Sequence, residues 1–367
     1  MKILLFYHSL ISDWNHGNAH FLRGIYASLL GMGHEVTVFE PKDGWSLSCL
    51  LKENGNDALL DFLEYYPNLK TTFYSSDFTE LETYLQQADL VLVHEWNDPK
   101  LISWIGKQKG KNDYKLFFHD THHRAVSDPE MMKNFNLTNY DGVLAFGESL
   151  RKVYLDNQWH DKVWTWHEAA DTTHYYPIEG EEKIGDVVWV GNWGDDERTE
   201  ELEEFLIEPI HKLNLKAKFY GVRYPDKALK MLKSAGIEYG GYLPASQVNK
   251  TFARYKATVH VPRRFYTQRL PGIPTIRPFE AMACGIPLLS APWKDTEKLF
   301  SPGKNFIMAE NGQTMKEALH EVISNKDLAD QLIYNGRKTI LARHTCLHRA
   351  EELMLIYESE LELWKSN

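Results

Sequence analysis

Cysteine is scarce in this chain: Cys49, Cys284 and Cys346 are the only three among 367 residues, far apart and odd in number. They build neither a disulfide framework nor a structural zinc site, and such usage fits a reducing cytoplasm. Long apolar runs are missing too; none nears the roughly 18 residues that a membrane-spanning helix needs. The opening MKILLFYHSL holds one Lys and an apolar run too short for a secretory leader, so export by that route is not expected. Basic charge is in deficit: 41 Lys and Arg against 51 Asp and Glu leave a net charge of -10, which repels polyanions and disfavours a nucleic-acid partner. Repeats and low-complexity tracts are absent.

What is present is globular. Hydrophobic residues at 43% and charged residues at 25% exclude disorder and fibrous classes, and at roughly 150 residues per domain the length predicts two domains. Aromatics reach 13%, which suits large core side chains or rings lining a cleft for sugars or bases. KILLFY (2–7), EVTVFE (35–40), ADLVLVHEW (88–96), KLFFHD (115–120), DGVLAFGES (141–149) and KVWTWHEA (162–169) are brief, nearly continuous apolar runs. Such runs belong to a parallel sheet covered on both faces. Between the first two, Phe21, Leu22, Ile25, Leu29 and Leu30 recur at helical spacing, which makes a βαβ unit. The pattern restarts at GDVVWVGNW (185–193) after a polar stretch at 178–185, and continues through KAKFYGV, ATVHVPR and IPLLSA. Helices are expected near 196–213, 225–235, 245–254 and 278–284, and the tail from 313 to 366 is helical. Its last element carries Leu347, Ala350, Leu353, Met354, Ile356 and Tyr357 as an apolar face.

Ligands of open parallel sheets bind beyond the carboxyl ends of the strands. Those ends are polar here, with His8, Asp13, His94, Glu95, His119, Asp120, Glu148 and Asn192 among them, and Arg263 and Arg264 close a later strand. The richest segment is PGIPTIRPFEAMACGIPLLSAPW (271–293). Pro278 suits a first helical turn, while Gly285 and Pro287 stop the helix. A helix N-terminus with Arg277 beside it is an anion site, and Glu280 could accept hydrogen bonds from a ribose diol. That combination suits a sugar nucleotide. The HDTHH cluster (119–123) suggests zinc, but its adjacent His122 and His123 should point apart and no distant partner motif accompanies them. Asp195 and Asp196 fit a helix start better than a metal pair.

On these residues the chain resembles GT-B glycosyltransferases, and RPFEAMACGIPLLSAPW is most similar to the CgeB-like enzymes related to glycosyltransferase family 4. AADTTHYYP (169–177), LFFHD (116–120), DGVLAFGESLRKVY (141–154) and HTCLHRAEELMLIYE (344–358) agree with it. The resemblance implies two Rossmann-like α/β domains facing across a cleft: an acceptor domain at 1–177, a nucleotide-sugar domain at 185–345, and a helix at 346–367 crossing back to the first. It assigns the donor to Glu280 with neighbouring Phe279, and to Asn192 and the cations Arg198, Arg223, Arg263, Arg264 and Arg277. It makes His119 and His20 the candidate catalytic residues. Two departures stand out: Gly272 replaces a second Glu near the donor sugar, and Asn192 and Trp193 follow Gly191 where an Arg is usual.

The implied activity is transfer of a hexosyl group from a UDP- or GDP-sugar to a hydroxyl, without metal or cofactor and with retention, in the cytoplasm. Leaving-group charge is then met by guanidinium groups and helix N-termini. Competing readings are a GT-B-fold sugar-nucleotide epimerase and a non-catalytic nucleotide-sugar-binding or spore-surface protein. Transfer to DNA bases conflicts with the acidity, although Arg263 and Arg264 could form a small basic patch.

Overall fold

The apolar runs become strands because both of their faces find cover. In a computed structural model that describes residues 1–366, thirteen strands form two parallel sheets. The first contains β1 (Lys2–Phe6), β2 (Glu35–Pro41), β3 (Thr71–Tyr74), β4 (Leu90–His94), β5 (Lys115–Asp120), β6 (Gly142–Ala145) and β7 (Val163–Thr165), in the order β3-β2-β1-β4-β5-β6-β7. Every residue of β4 and β5 is buried, which is why both strands lack the alternation of a half-exposed sheet. The helix Ala19–Gly31 joins β1 to β2, which pair in register from Lys2 with Glu35 to Phe6 with Phe39. Gly142 opens β6 where a Cβ would collide with the Trp164 ring of the neighbouring strand.

The second sheet contains β8 (Gly185–Val190), β9 (Ala217–Tyr220), β10 (Glu238–Tyr239), β11 (Tyr255–His260), β12 (Leu288–Ser290) and β13 (Ile307–Met308), in the order β10-β9-β8-β11-β12-β13. Both sheets change direction of growth at their first strand, which places β1 beside β4 and β8 beside β11. On one face of the second sheet, Val187, Trp189, Ala257, Val259, Val261 and Leu289 pack under Leu202, Phe205, Leu206, Ile210, Met315 and Leu319. The intervening residues of β11 and β12, Thr258, His260 and Ser290, belong by alternation to the other face, where the helix Ile276–Cys284 meets both strands.

Helical spacing at 196–213 resolves into Thr199–Leu202, a π turn at Glu203–Ile207 and Glu208–Lys212. Pro209 lies four residues beyond Phe205 and has no N–H to give it, so a local change of helical period accommodates the proline.

The chain divides into two compact units: Met1–Glu168 with the C-terminal helix from Cys346, and Ala169–Thr345. That helix, Cys346–Ser366, packs on Ala19–Gly31, and the Trp166 indole N–H donates to the Arg349 carbonyl at 2.9 Å. Its buried stripe runs through Cys346, Arg349, Ala350, Leu353, Met354 and Glu360. Leu347, expected on that face, sits at the stripe's margin and is 48% exposed. Lys162 meets buried Glu360 at 2.5 Å, so the contact face includes a charge pair that hydrophobic periodicity does not reveal. No helix among the described residues is long and apolar enough to cross a membrane.

Candidate functional site

The segment that carries the signature forms the helix Ile276–Cys284, preceded by Thr275 at φ 57° and stopped by Gly285 at φ 70°. Glycine at that stop avoids the penalty of a Cβ in the left-handed region, and its amide reaches the Ala281 and Met282 carbonyls. The Thr275 side chain makes no capping bond, and among the described residues no other side chain caps the start of the helix, so its first N–H groups and positive dipole end are left for other anions. Glu280, only 4% exposed, forms an ion pair with Arg277 one turn earlier.

Two more guanidinium groups converge here, because β8 and β11 are neighbours and their carboxyl ends lie side by side. Arg198 donates to the carbonyls of Asn192 at 2.6 Å, Trp193 at 3.5 Å and Val261, tying the loop after β8 to the end of β11. Burial, followed by the charge of Arg263, lowers its pKa to about 10, and Arg277 also contributes. Arg263 donates from Nε to Glu197 at 2.7 Å. Below them His260 at the end of β11 shares a hydrogen bond of 3.0 Å with Ser290 through Nδ1, and its Nε2 has no partner among the described residues. Burial, and then Arg198 and Arg277, hold this imidazole neutral with a pKa of about 3. Three guanidinium groups, a neutral imidazole and an uncapped helix start therefore meet two carboxylates, Glu197 and Glu280. Such an arrangement is suited to a multiply charged anion.

The remaining residues singled out in the sequence fall outside this cluster. Arg264 is held by Glu200 and Glu201, each at 2.6 Å, and Arg223 lies on an exposed loop at φ 59°, 3.3 Å from Asp195. Asn192 accepts the Val222 amide at 2.8 Å and so braces the loop. Phe279 is a core residue, 1% exposed, with its ring 5.2 Å from Phe300 and 5.7 Å from His344. Trp193 is likewise in the core, and its indole N–H bonds Asp196 and Thr199. Asp195 and Asp196 take successive left-handed conformations at φ 54° and 63°, ahead of the helix rather than capping it. At Gly272, φ 97°, a side chain would collide with Thr296 and come within 3.3 Å of the Glu297 carboxylate, so the loop after β12 fills that space.

In the first unit, the ends of β1, β4 and β5 assemble a buried histidine group. The His8 ring lies 4.0 Å from His16 and 5.8 Å from His94, which is 5.2 Å from His119. Burial lowers the pKa of His16 and His119 to about 3 and those of His8 and His94 well below the usual imidazole range. His119 is fully buried between Trp166 at 4.7 Å and Phe21 at 5.9 Å, and an imidazole of such low basicity is a poor proton acceptor at neutral pH. His20 is 3% exposed near the start of the helix Ala19–Gly31.

Sequence reasoning missed Arg124, which forms a buried pair with Glu95 at 2.7 Å and stacks on Trp96 at 4.6 Å. Burial pushes the Glu95 carboxyl up to about 8 against the pull of that guanidinium. Arg124 directly follows the HDTHH motif, and a cation beside a strand end was the available signal. His122 and His123 have ring centroids 4.0 Å apart rather than pointing away from each other. No group of three or more His, Cys, Asp or Glu among the described residues is placed to hold a metal ion.

Residues 198–355 match a family model described as glycosyl transferase-like, a span that includes Arg198, Arg263, Arg277 and Glu280. No curated protein matches the chain. Among solved structures, the chain is similar to HepE of Anabaena, solved in complex with UDP and glucose, at 14% identity over 98% of this chain and 100% of that one, with a TM-score of 0.67. Sucrose-phosphate synthase from Thermosynechococcus elongatus is 14% identical over 100% of both chains, with a TM-score of 0.65. A DNA-modifying beta-glucosyltransferase, solved with and without uridine diphosphoglucose, is 16% identical over 98% of this chain and 99% of that one, with a TM-score of 0.65. At these identities the likeness is one of fold: two Rossmann-like parallel-sheet domains of the GT-B kind, seven-stranded and six-stranded.

Proposed function

We propose that this chain is a glycosyltransferase that takes its sugar from a nucleoside diphosphate sugar bound by the second unit. The observation that carries this reading is the convergence of Arg198, Arg263 and Arg277 on the uncapped start of the helix Ile276–Cys284, next to buried Glu280. The family match covers this cluster, and similarly folded HepE and beta-glucosyltransferase were solved with UDP or UDP-glucose.

In this reading Glu280 turns from Arg277 to accept the two ribose hydroxyls, and Arg277 is released to the diphosphate. Transfer breaks the bond between the anomeric carbon and the diphosphate oxygen, so negative charge grows on the leaving group. Fixed guanidinium groups and helix N–H dipoles stabilise that charge with little reorganisation, the form of catalysis that protein electrostatics performs best. Side-chain cations can do this without a metal. The acceptor hydroxyl is assigned to the polar strand ends of the first unit, with His20 as the candidate base. His119 is reassigned to packing because of its burial and low basicity.

Titration with UDP and GDP tests the reading. The wild-type chain should bind at least one of them, and Glu280→Ala should weaken binding by about tenfold or more, near 1.4 kcal/mol. Glu280→Gln, which keeps the shape beside Arg277, controls for lost packing. Unchanged affinity in both variants would sink the assigned role. Incubation with a sugar nucleotide and no acceptor separates slow hydrolysis to free diphosphate from epimerisation.

A further inference from the structure

The loop from Gly191 to Arg198 carries the donor-side cation Arg198, and it turns through three successive residues at positive φ, Gly194, Asp195 and Asp196, a region that glycine enters freely and aspartate more readily than most residues. Contacts inside the loop, such as the Trp193 indole N–H to Asp196, and outside it, such as Arg198 to the Val261 carbonyl, hold that shape, and the carboxylate that ties the loop to a second cation is that of Glu197. Both oxygens of its carboxylate are engaged. Oε1 accepts the Arg264 backbone N–H, and Oε2 accepts Nε of Arg263 at 2.7 Å. The Glu197 side chain is 16% exposed and that of Arg263 25%, so the pair is partly withdrawn from water.

The four cations around this loop are not equally available. Arg198 spends a bond from each of its three nitrogens on backbone carbonyls. Arg264 is bound by two carboxylates, and Arg277 by Glu280. Arg263 alone among these four is hydrogen-bonded only through Nε; its guanidinium lies 5.7 Å over the Phe265 ring, and its terminal nitrogens have no hydrogen-bond partner among the described residues. A guanidinium fixed at Nε presents its two terminal nitrogens as a fork, which matches two phosphoryl oxygens. Arg263 is also close enough to Arg198 for its charge to depress that group.

We propose that Glu197 is a positioning residue of the donor site: by holding Arg263 at Nε, it fixes the guanidinium fork that grips the diphosphate. The proposal rests on the donor reading above and adds the residue that acts through Arg263. The sequence places Glu197 in the acidic run GDDERTEEL, where it looks like one more solvated carboxylate.

A double-mutant cycle tests it by calorimetric titration of the full chain with UDP and GDP. Arg263→Ala and Glu197→Ala should each weaken binding of the preferred diphosphate by roughly tenfold. The double variant should be little weaker than Arg263→Ala alone, because Glu197 has nothing left to position. Glu197→Asp should recover part of the loss only while Arg263 is present. Additive losses overturn the proposal, as does an Arg263→Ala variant that binds like wild type or a Glu197→Ala variant that does so. Thermal unfolding accompanies each titration; if Glu197→Ala does not fold, Glu197→Gln, which keeps the shape and one acceptor oxygen, takes its place in the cycle. Wild-type chain that binds neither diphosphate removes the donor reading itself, whereas wild-type binding with additive losses removes only the role of Glu197.

Discussion

Phe279 and Glu280 are adjacent and both buried, yet they do different work. The phenyl ring packs among Phe300 and His344, whereas the carboxylate meets a guanidinium at the mouth of a charged cluster. Phe279→Ala should therefore destabilise the second unit by about 3–5 kcal/mol through the cavity left behind, measured by denaturant unfolding, while Phe279→Leu costs much less. Affinity for UDP in folded Phe279→Leu should stay within about threefold of wild type, below one factor of ten. Glu280 and Arg277 were legible in sequence because they share one helical turn, three residues apart. Arg264 was not: next to Arg263 in sequence it looks equally suited to phosphate, but the helix Thr199–Leu202 brings Glu200 and Glu201 to it from 64 and 63 residues away.

At the scale of elements, the helix Ile276–Cys284 was readable from its stop signal. Gly285 sits at φ 70°, and a Cβ there would come within 3.1 Å of Pro177 and 3.4 Å of Ile333. Gly285→Ala should cost about 1–2 kcal/mol from the left-handed backbone alone. A fall in Tm of a few degrees checks this, and no change would mean that the turn relaxes freely. Strands β3, β10 and β13 escaped the sequence reading because they are short edge strands of two to four residues, too brief for a period. The C-terminal helix was recognised, but its contact face was misjudged at Leu347, since buried Arg349 and Glu360 are polar and a hydrophobic pattern passes over them. Trp166→Phe keeps the aromatic contact and deletes the hydrogen bond to Arg349. It should lower stability by roughly 0.5–1.5 kcal/mol, the worth of one buried hydrogen bond, because the Arg349 carbonyl keeps its partner within the helix.

For the molecule as a whole, the two units differ in how they meet acid. His8, His16, His94 and His119 of the first unit are buried neutral, with pKa values depressed below the ordinary imidazole value of about 6.5. A depressed histidine keeps its stabilising effect above the unfolded pKa and loses it as pH falls, because the unfolded chain binds the proton first. For His16 and His119 that loss runs from about pH 6.5 down to about 3, at up to roughly 1.4 kcal/mol per pH unit for each group. The second unit shows one such group beside its guanidinium cluster, His260. Hydrogen exchange between pH 7 and 4 should therefore show protection falling first in peptides of β1, β4 and β5. Equal loss in β8, β11 and β12 would contradict it.

The sequence by itself determined the two parallel α/β sheets, the stop of the signature helix and the nearness of Arg277 to Glu280, because period, turn chemistry and helical spacing act over a few residues. Only the tertiary structure decided which cations stand together. Arg198 reaches Val261 and Glu197 reaches Arg263 across 63 and 66 residues, and they meet because sheet order sets β11 beside β8. Charge attraction is short-ranged in water, so the partner a guanidinium takes depends on which strand ends the fold makes neighbours, and no local pattern encodes that choice.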